Sequence, residues 1–148
     1  MVYLLFYVSP HEHWKIKWSW IVSWAGLYGI HPIAIDRDGL NRQSDHPPFN
    51  YRSIEEALTD HRFADHTWVW LDCAGTSYVD QYAHPKENVI YCIGDDLTGF
   101  QGISAPGPRV KLRPFNVEMS ESAEYFAAMV AQAVLNDRAM YLAGRRRS

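Results

Sequence analysis

The chain has 148 residues, 47% of them hydrophobic and 21% charged, with a formal net charge of −3. That length fits one domain able to bury a substantial core, and the balance excludes a disordered or fibrous chain. The negative total also excludes the broad positive field of a protein that holds nucleic acid by phosphate contacts alone, so any such contact must be local.

Val2-Tyr-Leu-Leu-Phe-Tyr-Val8 is a continuous apolar run stopped by Ser9-Pro10, which predicts a strand buried on both faces. From His13 to Tyr28 the apolar positions Trp14, Ile16, Trp18, Ile21, Val22, Ala25 and Tyr28 recur mostly at three and four, with Gly29 as the stop, and predict a helix. Pro32-Ile-Ala-Ile-Asp36 is a second short strand, and the polar stretch from Arg37 to Asn50 reads as a long loop. Ser53 with Glu56 three residues on is a capping box, predicting a helix from Ile54 to about Phe63. Thr67 to Asp72 and Asn88 to Ile93 are buried strands, and Val110 to Leu112 is a shorter one. Met119, Ala123, Phe126, Ala127, Val130, Ala131, Val134 and Leu135 lie on one helical face, so a long helix runs from about Ser120 to Leu142.

Strands alternating with helices define the fold class: an α/β single domain over residues 1–142, a mainly parallel sheet with helices on both faces, and a basic tail over 143–148. Arg145, Arg146 and Arg147 in that tail read as a solvated end, with an RNA backbone as the alternative contact. Cys73 and Cys92 lack C-x-x-C spacing and read as reduced core residues. The first residues lack the pattern of a signal peptide and no apolar run reaches membrane-spanning length, so the cytoplasm is the expected compartment. His31, His46, His61, His66 and His84 are scattered without metal-ligand spacing, and no G-x-S-x-G elbow occurs.

Parallel sheets bind ligands beyond the carboxyl ends of their strands. Three glycine-containing loops are candidates for that edge: Asp72-Cys-Ala-Gly75, Gly94-Asp-Asp-Leu-Thr-Gly-Phe100, and Ala105-Pro-Gly-Pro-Arg109. Glycines let backbone approach a ligand and expose amide donors, while adjacent carboxylates accept hydrogen bonds. Neither G-x-G-x-x-G nor a P-loop pattern is present, which argues against dinucleotide or nucleoside triphosphate sites of those kinds.

Val89 through Phe100, in which a strand closes on Gly-Asp-Asp-Leu-Thr-Gly, resembles the G-S-E-x-x-G-L loop of the SpoU-type branch of the SPOUT RNA methyltransferases. Gly94 and Gly99 fall in register, and Asp96 stands where that family has glutamate. Trp24-Ala-Gly-Leu-Tyr-Gly-Ile30 is similar to the end of the family's first helix, and Ser53-Ile-Glu-Glu-Ala-Leu58 to its short helix before the third strand. Val110-Lys-Leu-Arg-Pro114 followed by the last helix matches the layout that closes a C-terminal trefoil knot. The resemblance implies S-adenosylmethionine held by the loops around Asp72 to Gly75, Ile93 to Gly99 and Leu112 to Ser120, a homodimer, and tRNA or rRNA as substrate. The cofactor-binding residues it implies are Asp72, Gly75, Ile93, Gly94, Asp96, Gly99 and Leu112, and the basic residues facing RNA would be Arg37, Arg42, Arg52 and the tail.

The family's helix-one arginine, which activates the ribose hydroxyl, is replaced by Ser23, and no asparagine precedes it. Its S-L-N-V-S motif becomes Glu118-Met-Ser-Glu-Ser122, putting Ser120 at the asparagine position unless Asn116 is the shifted equivalent. Forming an alkoxide needs a base or a cation worth about 10²–10⁴-fold in rate. Arg113, beside the last loop, is the first candidate for the missing cation, with Ser120 and Asn116 beside it; Arg109 is a further one, and His11 and His13 are possible bases. Two other readings stay open: the same fold as an inactive RNA- or ligand-binding protein, and a doubly wound nucleotide-binding domain.

Overall fold

A computed structural model describes residues 1–8, 14–39, 49–71, 77–94, 106–111 and 119–146; the side chains of 14–18, 49 and 119–128 lie outside that description. The strands are β1 (Val2–Tyr7), β2 (His31–Ile35), β3 (Phe49–Tyr51), β4 (Thr67–Leu71), β5 (Ser77–Tyr78), β6 (Val89–Ile93) and β7 (Arg109–Lys111). The α-helices are α1 (Trp14–Leu27), α2 (Ile54–Leu58) and α3 (Met119–Leu142). Among the described residues the strands form one sheet in the order β3-β2-β1-β6-β4-β7-β5, and every pairing is parallel.

The apolar strands are continuous because both faces of the sheet are covered. Successive side chains alternate, so Leu4 and Phe6 of β1, Val69 of β4 and Tyr91 and Ile93 of β6 pack on one face with Ile21 and Ala25 of α1 and Val130, Ala131, Val134 and Leu135 of α3. Tyr3, Leu5, Trp68, Trp70, Ile90 and Cys92 face the other way, where Ile54 and Ala57 of α2 and Phe63 meet them. Burial raises the Cys92 thiol well above its ordinary pKa, which fits a core residue rather than a nucleophile. Cys73 lies outside the described residues.

Local chemistry sets the ends of the helices. Gly29, at φ +68°, ends α1: its amide donates to Gly26 O and that of Ile30 to Ala25 O, a Schellman closure needing the left-handed conformation that glycine adopts freely. The N-cap half of the capping box forms, with Ser53 Oγ accepting from the Glu56 amide at 3.1 Å, while Glu56 Oε2 accepts from the amide of Arg52, one residue before the cap, at 2.9 Å. The predicted helix to Phe63 is shorter, however. It stops at Leu58, and Asp60 caps a separate 3-10 turn, His61–Phe63, through the Arg62 amide. Two strands were not predicted. β3 closes the polar stretch after β2, and β5 adds to the far edge; three and two residues carry no periodicity, and each exists only by pairing with β2 or β7.

The strand order also separates two of the sequence readings. A flavodoxin-like sheet runs 2-1-3-4-5, with each new strand added outward. Here β6 inserts between β1 and β4, so the later strand takes the inner place. The residues of the expected trefoil knot, 112–118, lie outside the described part.

Candidate functional site

The inserted strand fixes where the candidate loops start. β6, β4 and β7 are neighbours, with Leu71 in register with both Ile93 and Val110. The chain therefore leaves these three parallel strands at one edge of the sheet, from positions about 5 Å apart per strand step. Asp72, Gly75, Asp96, Gly99, Leu112, Arg113 and Asn116 follow those exits and lie outside the described residues, as does the side chain of Ser120 at the start of α3.

Ile93 and Gly94 are described. The Ile93 side chain is buried in the core beneath α1 and α3, so only its backbone is left for a ligand. Gly94 comes next, half-buried, with no side chain to cover the end of β6. That combination fits a cofactor gripped through main-chain groups.

The third predicted loop is placed elsewhere. β7 begins at Arg109 opposite Trp70, so the residues before it run back along β4 towards its amino end. Pro108 O accepts from the Trp70 amide, and Pro106 O from Trp70 Nε1, both at 2.9 Å. Gly107 has φ +117°, and a Cβ there would sit 1.9 Å from Trp68 O. The glycine permits close packing on β4, so this loop does not join the two others at the carboxyl edge. The Arg109 guanidinium, 6.0 Å from the Trp70 ring centroid, packs on the same sheet face.

The basic residues differ in what they meet. Arg37 and Arg52 follow β2 and β3, whose last residues Ile35 and Tyr51 are paired, so both stand exposed at the carboxyl edge, with Arg52 Nη1 donating to Arg37 O at 3.2 Å. Arg42 and Arg147 lie outside the described residues. Arg146 does not extend as a solvated tail. Gly144, at φ +69°, closes α3 and turns the chain back, so Arg146 Nη2 meets Asp137 Oδ2 at 2.6 Å and its guanidinium lies 4.4 Å from the Tyr141 ring centroid.

Asp137 belongs to a buried network that sequence reasoning missed. His84 Nε2 is 2.6 Å from Asp137 Oδ2 and its Nδ1 is 2.7 Å from the Tyr91 hydroxyl. A carboxylate only accepts, so the proton is assigned to Nε2 and the Tyr91 O–H donates to Nδ1. Arg138 Nη2 donates to Pro85 O at 3.3 Å and to Lys86 O at 2.9 Å. Burial pushes the His84 pKa down against the pull of Asp137, and burial pushes the Tyr91 pKa up. The arrangement looks like a relay of base and hydroxyl, yet Tyr91 is fully buried and offers nothing to a substrate. It joins the segment before β6 and the middle of that strand to the end of α3. His84 and Asp137 are 53 residues apart, and no spacing in the sequence joins them.

Ser23, at the position of the family's arginine, is exposed on α1. Near it Trp20 is 40% and Leu27 81% exposed, and Trp20 stacks on half-buried Trp24 at 6.3 Å. Met129 of α3, the helix α1 packs against, is 55% exposed. The side chains of Trp14 and Trp18 lie outside the described residues, as do His11, His13 and His46. Among the described residues no three His, Cys, Asp or Glu side chains group as metal ligands, and no helix is long and apolar enough to cross a membrane.

Solved structures place this architecture. AviRb, a SpoU methyltransferase from Streptomyces viridochromogenes, superposes with a TM-score of 0.72 at 19% identity, covering 99% of this chain and 62% of that one. The same protein in complex with AdoMet gives 0.62 at 17%, covering 91% and 55%. A protein whose structure concerns 2-OH methylation of C/U34 on tRNA gives 0.66 at 15%, covering 98% of both chains. The chain thus shares its fold with these methyltransferase structures, and spans about three-fifths of AviRb. No protein-family model matches the sequence, and no curated protein matches it.

Proposed function

We propose that this chain binds S-adenosylmethionine and methylates tRNA or rRNA, as a knotted, cytoplasmic homodimer. One observation carries the reading: in a SpoU-type fold, the ends of β6, β4 and β7 lie side by side, and Gly94-Asp-Asp-Leu-Thr-Gly99 follows the end of β6. Backbone groups of Ile93 and Gly94, with Asp72, Gly75, Asp96, Gly99 and Leu112, would hold the cofactor, which supplies the methyl group when bound. Arg113 stabilises the developing alkoxide of the substrate in place of the arginine replaced by Ser23, with Asn116 or Ser120 orienting that hydroxyl. Exposed Trp20, Leu27 and Met129 on the packed α1 and α3 supply the apolar dimer contact.

Calorimetric titration of S-adenosylmethionine tests the cofactor: saturable binding is expected, lost in Gly94→Val and Gly99→Val with the thermal melt retained. An absence of binding to the unsubstituted protein defeats the reading. The second reading keeps the fold and RNA binding without methyl transfer, and exposed Ser23 at the arginine position favours it. Transfer of labelled methyl to bulk RNA, abolished by Arg113→Ala, separates the two.

A further inference from the structure

Resting on that reading, we propose that Lys111 and the pair Arg37 and Arg52 are the two ends of a cradle holding one single-stranded RNA segment across the carboxyl edge of the sheet. Tyr78 is the positioning residue for Lys111. Lys111 is the last residue of β7 and Tyr78 the last of β5, and the two are register partners. The Lys111 ammonium lies 4.9 Å from the Tyr78 ring centroid, a cation–π contact that fixes a long side chain at the edge. Among the described residues no carboxylate stands within ion-pair distance of Lys111. The ring fixes where the ammonium stands at the edge, and a phosphate is the partner we assign to it.

Arg37 and Arg52 supply the other end, exposed beyond β2 and β3. Four strand steps separate β2 from β7 in the sheet, a span of about 19 Å. That is on the scale of the shortest single-strand sites, about four nucleotides. The exits of β6 and β4 fall between the ends, so a strand clamped at both presents its middle nucleotides to the candidate cofactor loops. A net charge of −3 makes such local contacts the route by which this chain engages RNA. Arg146 is not assigned to the cradle, since its Nη2 already meets Asp137 Oδ2 at 2.6 Å and Val79 O at 3.4 Å.

The test is the salt dependence of binding of a fluorescent oligouridine to the full chain. Each lost phosphate contact lowers the log–log slope by about 0.7 for a single strand. Lys111→Met, which keeps the apolar stem, is expected to lower the slope by about that amount, and Arg37→Ala with Arg52→Ala by about twice as much. Lys111→Arg and Tyr78→Phe should keep the wild-type slope, and Tyr78→Leu should shift it towards that of Lys111→Met. Lys86→Ala, exposed before β6, should leave it unchanged. Wild-type binding with an unchanged slope in Lys111→Met, or an equal loss in Lys86→Ala, overturns the cradle and leaves the methyltransferase reading standing. No binding of RNA by the wild type overturns both.

Discussion

The network at the end of α3 and the carboxyl edge of the sheet use charge in opposite ways. Around the end of α3, His84, Tyr91, Asp137, Arg138 and Arg146 turn their polar atoms on one another or on main-chain carbonyls, and His84 and Arg138 are buried. At the carboxyl edge Arg37 and Arg52 face solvent, and Lys111 rests on a ring. The first arrangement ties the loop before β6 to the end of α3 and contributes to folding. The second contributes little to folding, because exposed cations gain little from their surroundings. A cluster that resembles catalytic machinery is thus structural, while the edge we propose for the ligand is the plainer of the two.

Asp137→Ala breaks the network at the end of α3 most severely. It leaves Arg146 and His84 facing a gap in a largely buried site, and removing one partner of such a pair costs about 3–5 kcal/mol. Urea unfolding should show that loss, while the affinity of the folded fraction for S-adenosylmethionine stays at the wild-type value. Gly94→Val should do the reverse. If Asp137→Ala instead weakens cofactor binding while stability holds, the division between the two regions is wrong. Tyr91→Phe is a smaller cut at the same network. His84 Nδ1 loses its donor in a buried place, so a loss of about 1–3 kcal/mol is expected in the same unfolding experiment.

How much of this was legible in the sequence follows from the range of the interactions. The long buried strands announce themselves because both faces are covered, so Val2 to Val8, Thr67 to Asp72 and Asn88 to Ile93 were bounded to within a residue or two. Gly29 and the Ser53 and Glu56 pair act within one turn, and were read correctly as a stop and a start. β3 and β5 were invisible because a neighbouring strand creates them. The helix from Ile54 broke early because the Asp60 side chain starts a new turn. At the candidate site, the shared edge of the strands ending near Asp72, Gly94 and Leu112 was legible from their parallel order. The place of Ala105 to Arg109 was not, since it depends on where β7 joins β4. Nor was the capture of Arg146, which needs Asp137 and Tyr141 brought alongside by the turn at Gly144.

The smallest expected effect is the dependence of stability on pH. Burial holds the folded-state pKa of His84 below the ordinary value of about 6.5, so between that value and the folded one the unfolded chain binds the extra proton. The contribution is fully present above about pH 6.5 and is lost as pH falls towards the folded pKa, with a slope of at most about 1.4 kcal/mol per pH unit. Urea midpoints taken from pH 7 down to pH 5 should therefore fall for the wild type. In His84→Gln the protein is weaker throughout, but that part of the slope is gone, leaving only the contribution of the other titrating groups. A variant that keeps the wild-type slope would mean the network at the end of α3 does not depend on an uncharged His84, and its contrast with the carboxyl edge would then rest on Asp137 and Arg146 alone.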